Sequence, residues 1–137
     1  MLKEGSRAQA IDALLSRPNA EPVLPAPALT EVLSTVRRRG HGSSMDFLAH
    51  VIAARGIRSE VLTAEDMVRA AHLLRLSDEH PGYGKPHGSD DGRKTLSLGD
   101  ALILSIVERL SLPVVTHDHY WREFAADGLT NAHVVVI

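Results

Sequence analysis

Acids at the ends of short apolar segments are the residues of this chain whose placement suggests chemistry. Ser97-Leu98-Gly99-Asp100-Ala101 sets an acid three positions after a Ser, at the opening of an apolar run. Leu112-Pro113-Val114-Val115-Thr116-His117-Asp118 sets another just beyond a β-branched segment. Each has a structural explanation: Asp100 completes a capping box with Ser97, and Asp118 is a good N-cap for a short helix after it. Each also suits a binding site, because ligands of parallel α/β sheets lie outside the carboxyl ends of the strands. Glu31 is a third acid, between Leu29 and Val32 on a helix flank, where solvation and an inward lean are both open.

Other reactive types give weaker signals. His117 and His119 flank Asp118, and His80 and His87 add two imidazoles, but no HExxH or paired-Cys spacing accompanies them. Arg37-Arg38-Arg39 suits an RNA backbone and equally suits the negative end of a helix dipole, which is the preferred account. Trp121 and Phe124 follow helical spacing and read as packing residues. No nucleophile elbow surrounds any Ser, and no glycine-rich phosphate loop leads from a strand into a helix.

Periodicity and punctuation give the elements that must position these residues. Ala8, Ile11, Leu14 and Leu15 form one stripe of a helix over Lys3 to Ser16. Glu21 to Pro25 is a short edge-like or first-position strand, and Pro27 opens a helix through Leu29, Val32, Leu33 and Val36 that ends in the three Arg residues and Gly40. Ser43 or Ser44 caps a helix that stops at Gly56, and Ile57 to Leu62 reads as a strand. Thr63-Ala64-Glu65-Asp66 is a capping box for a helix ending near Ser77, with Met67, Val68, Ala70, Ala71 and Leu74 expected inward. The Gly-, Pro- and His-rich stretch Asp78 to Thr95 reads as a long loop. Beyond it, a helix runs to Leu110 and is apolar on most sides. Leu112 to Thr116 is a strand, Asp118 to Ala126 a short helix and His133 to Ile137 a last strand. Alternating strands and helices predict an α/β fold with a mostly parallel sheet, as one domain over residues 1–137.

The 137 residues are 44% hydrophobic, with 15 Lys+Arg against 17 Asp+Glu and no Cys, as expected of one globular domain without disulfides. The apolar run Ala101 to Val107 is far short of the roughly 20 residues that span a bilayer, so no membrane partner is expected. The absence of Cys and of a secretory h-region favours the cytoplasm. A formal charge of −2 gives no global pull toward nucleic acid, so such a partner must be argued from a local site.

The strand-end acid, the helix-start acid, Thr116 two positions before it, and the segment Pro25 to Val32 together resemble the PIN domain, particularly the VapC-type toxin ribonucleases. The resemblance implies a three-layer α/β/α fold and a metal-dependent endoribonuclease, the toxin of a toxin–antitoxin pair. It carries the family's acids onto Glu31, Asp100 and Asp118, with Thr116 supporting them. It implies Mg²⁺ or Mn²⁺ as cofactor, RNA as substrate, a homodimer and a cognate antitoxin. Hard divalent ions prefer such oxygen ligands and can activate water against a phosphodiester. In the family a first strand ends in a further Asp. No segment here matches it, since Asp12 lies inside the helical stripe, so the resemblance implies a chain that is N-terminally incomplete. The alternative is a PIN-like module that binds without cleaving, having lost a metal-ligating acid.

Overall fold

The computed structural model describes residues 4–40, 42, 44–82 and 94–137. Among these, the chain forms two compact units, Met1–Val61 with Ile137, and Leu62–Val136.

In the first unit, α1 (Glu4–Leu15) precedes β1 (Val23–Pro25), α2 (Ala26–Arg38), α3 (Met45–Ala54) and β2 (Arg58–Glu60). The two strands pair in parallel, Val23 opposite Arg58 and Pro25 opposite Glu60. Pro25, which lacks an N–H, ends its strand and stands as the N-cap residue of α2, with another Pro in the first turn. Ser44 caps α3 by accepting the Phe47 N–H at 3.1 Å. Gly40 and Gly56, at φ +74° and +78°, follow the C-cap residues of α2 and α3 in the left-handed backbone that Gly adopts without penalty. No described residue of this unit is fully buried. Ile11, Leu15, Val32, Met45 and Phe47 are exposed, so the expected stripe of α1 is largely open.

The second unit holds the fully buried core. It comprises α4 (Ala64–Glu79), α5 (Leu98–Leu110), β3 (Val114–Thr116), α6 (His119–Ala126) and β4 (Val134–Val136). The helix α5 is buried along Ala101, Ile103, Leu104, Ser105, Ile106 and Val107, as its nearly all-round apolar character predicts. Leu73, Leu104, Ile106 and Phe124 are fully buried, each gaining roughly 1.5–3 kcal/mol over an exposed position. The strands β3 and β4 pair in parallel, with Thr116 opposite Val136.

The inward face of α4 differs from the expected one. Asp66, Ala70, Leu73 and Ser77 are buried, whereas Met67, Val68 and Ala71 are exposed. The reason is that two polar residues on that face find partners far along the chain. Arg109 from α5 donates to both carboxylate oxygens of Asp66 at 3.0–3.1 Å. On the adjacent turns, Arg69 donates to both oxygens of Glu108 at 2.7 and 3.1 Å, and Thr130 donates to Glu108 at 2.6 Å. The helix pair is thereby clamped by two forked ion pairs, and Glu108 also fixes the segment leading into β4.

Burial by itself would raise the carboxyl pKa of Asp66, but the hydrogen bonds from Arg109 and Thr63 outweigh it and hold the group below its ordinary value. Glu108 is lowered in the same manner, with Arg69 and Thr130 overcoming desolvation. A depressed folded-state pKa contributes stability that is complete above the unfolded value and lost as pH falls through the folded one. Denaturant unfolding should therefore show stability declining below about pH 4, near the ordinary carboxylate range. Arg109→Met should cost roughly 3 kcal/mol at pH 7 by stranding the buried Asp66 carboxylate, and the variant should lose less than the wild type on acidification.

Candidate functional site

The acids of the second unit are built into helix starts. At α5, the Ser97 hydroxyl accepts the Asp100 N–H at 3.1 Å, and Asp100 Oδ2 accepts the Ser97 N–H at 3.2 Å, a complete capping box. Asp100 Oδ1 accepts no hydrogen bond among the described residues. At α6, Asp118 is the N-cap, and its Oδ1 accepts the Tyr120 N–H at 3.0 Å. Thr116 Oγ1 accepts the Asp118 N–H at 3.1 Å, which turns the chain as it leaves β3. The Lys94 ammonium stands 2.7 Å from Asp118 Oδ1. Asp118 Oδ2 accepts no hydrogen bond among the described residues. Each acid thus commits one oxygen to its own helix and keeps the other uncommitted.

A buried hydroxyl ties these two helix starts to one point. Tyr120 donates to the His80 carbonyl at 3.1 Å, so the Ser77 hydroxyl donates to the Tyr120 oxygen at 2.8 Å. Ser77 Oγ in turn accepts the N–H of Leu96, the residue before the α5 cap, at 2.8 Å. Burial pushes the Tyr120 phenol up; the Ser77 hydrogen bond opposes this, but Glu123, Asp78 and Asp127 reinforce it, so the phenol keeps its proton and can donate. No motif singles out Ser77, Tyr120 or Lys94. The partners of Ser77 lie 19 and 43 residues away, and no local spacing signals such pairs.

Glu31 lies on α2 in the first unit, exposed, with no hydrogen bond or ion pair among the described residues. Within each unit, no group of three or more His, Asp or Glu side chains among the described residues is placed to hold a metal ion. His117 and His119 are exposed, and His119 Nδ1 lies 3.2 Å from Arg122. His80 is held by its own helix through the Leu76 carbonyl at 2.9 Å. His87 lies outside the described residues. Arg37 and Arg38 occupy the last turn of α2, exposed, where they complement its dipole. Trp121 and Phe124 are core residues, as their spacing predicts.

The PIN domain family model matches residues 1–127. The chain belongs to the PIN domain family. No curated protein matches it. The PIN fold is a three-layer α/β/α arrangement, and the helices and short parallel strands of both units accord with it. PIN domains are a nuclease family that generally uses divalent metal ions. Among the described residues, no helix is long and apolar enough to cross a membrane.

The double duty of Asp118 makes it possible to separate its charge from its capping role. Asn caps helices about as well as Asp, so Asp118→Asn should fold with a loss under about 1 kcal/mol, while Asp118→Ala should lose roughly 1–2 kcal/mol. Asp100→Asn should likewise fold. Thermal melts followed by circular dichroism check both expectations, and a large loss in the Asn variants would make these acids primarily structural.

Proposed function

We propose that this PIN domain is a metal-dependent endoribonuclease of the VapC type, the toxin of a toxin–antitoxin pair, acting in the cytoplasm as a homodimer and restrained by a cognate antitoxin. Glu31, Asp100 and Asp118 are the proposed ligands of Mg²⁺ or Mn²⁺, with Thr116 shaping the backbone that presents Asp118. The observation that carries the reading is the half-committed state of Asp100 and Asp118. One oxygen of each is pinned by a helix cap, which fixes the carboxylate, and the other is left to a ligand.

The donor set suits a hard divalent cation, which favours carboxylate oxygen and retains water. Asp118 already meets a cationic group, since the Lys94 ammonium stands 2.7 Å away. When bound, the ion would supply a lowered pKa for water and charge neutralisation at a phosphodiester. The protein's own part is positioning: each cap holds its carboxylate at the start of its own helix.

A PIN-like module that binds without cleaving is the rival, favoured by the lack of a three-ligand group among the described residues of either unit. Calorimetric titration with Mn²⁺ separates the two. The nuclease reading expects Mn²⁺ uptake that Asp100→Asn and Asp118→Asn each weaken at least about tenfold, the loss of one charged ligand being worth over 1.4 kcal/mol. It also expects cleavage of RNA that stops in a chelator and in either variant. Uptake indifferent to both substitutions, or RNA bound and left intact in Mn²⁺, would give the rival the case.

A further inference from the structure

We infer that the outward face of α4 is the surface on which a second copy of this chain docks, the two helices running antiparallel about a two-fold axis at Val68. The inference gives a surface to the homodimer of the reading above, rests on that part of it, and is independent of its nuclease part.

The helix α4 is apolar on two sides. Ala70 and Leu73 face the core. Ala64, Met67, Val68 and Ala71 recur at the spacing of a second stripe, and all are exposed, Met67 at 51% and Val68 at 62%. A helix with solvent on its outer side carries polar residues there, whereas apolar residues on both sides suit burial between two neighbours. Beside this stripe opens a cavity of about 470 Å³, lined by Ala64, Glu65, Val68, Arg69 and His72. Arg69 is committed to Glu108. The side chains of Glu65 and His72 have no hydrogen bond or ion pair among the described residues.

The same face, turned end for end, complements this one. In an antiparallel pair, a residue before the axis meets one equally far beyond it. With the axis at Val68, the two Val68 side chains meet, and Glu65, about one turn before, faces His72 of the second copy, about one turn after. Glu65 and His72 share one flank of the stripe, Met67 and Ala71 the other, and a two-fold axis across the helices sets each flank against its own counterpart. The Glu65 carboxylate therefore accepts from the His72 imidazole while Met67 covers Ala71. A parallel pair would set Glu65 against Glu65, with like charges opposed. Ala64 and Ala71 are small enough for the helix axes to approach to about 8 Å, the near end of ordinary helix packing.

The full chain tests this directly. Sedimentation equilibrium should show a dimer whose dissociation constant rises at least about tenfold in Val68→Glu, which brings two carboxylates together in an apolar contact. Because Val68 is exposed, that variant should keep the wild-type circular dichroism. Glu65→His and His72→Glu should each weaken the dimer, and the two combined should restore it by re-forming the pair. The chain has no Cys, so Val68→Cys should join two copies under mild oxidation, whereas Ala126→Cys, exposed on α6, should not. A monomeric wild type overturns the inference together with the homodimer it rests on. A dimer indifferent to Val68→Glu, left unjoined by Val68→Cys, or not restored by the combined exchange overturns the α4 face and leaves the homodimer to another surface. The nuclease reading is decided separately, by the Mn²⁺ titration.

Discussion

A single buried hydroxyl organises the acid-bearing part of this molecule. Ser77 sits at the inner face of α4 with no solvent exposure, receiving the Leu96 N–H and giving its own proton to Tyr120. Leu96 stands immediately before the cap of α5, and Tyr120 two residues into the turn that Asp118 caps. Two chain segments brought from different parts of the sequence share one oxygen as their reference point. In a dry interior such a linkage is strong when complete and costly when any member is missing, because each orphaned group keeps its full desolvation penalty. The phenol serves this arrangement only while protonated, and burial keeps it so.

What was legible in the sequence was mostly local. The boxes Thr63 to Asp66 and Ser97 to Asp100 are three-residue relationships, and both form with reciprocal bonds. The burial of α5 could be read from an apolar surface too wide for a half-solvated helix. The face of α4 could not, because periodicity counts Asp66 and Ser77 as polar and turns them outward. Inside, Arg109 and Tyr120 compensate them, and those partners are 43 residues distant in the chain. The same limit hid Lys94, which sits in a stretch whose composition says only that it is irregular. The acids were legible as positions; their helix-cap geometry was visible, and the ammonium on Asp118 was not.

Electrostatics divides the second unit into two kinds of charge. Asp66 and Glu108 are spent on structure: each receives a forked guanidinium, and each is held ionised by it. Asp100 and Asp118 are fixed by backbone N–H groups and retain a lone oxygen. Asp66 also accepts a helix-start amide, from Thr63, so what separates the two kinds is the guanidinium fork, which Asp100 and Asp118 lack among the described residues.

The turn after α5 has a consequence for how such a chain can drift in length. Ser111 closes the helix at φ 53°, a left-handed backbone in a residue other than Gly, and Val114 begins β3 three positions later. Side chains of a strand alternate sides, so one residue inserted there would exchange the sides of Val115 and Thr116 unless pairing with β4 slipped to match. The hydroxyl that bends the chain into α6 would then face the wrong way. Length variation at this junction should be purged, and homologues of unequal size should differ elsewhere.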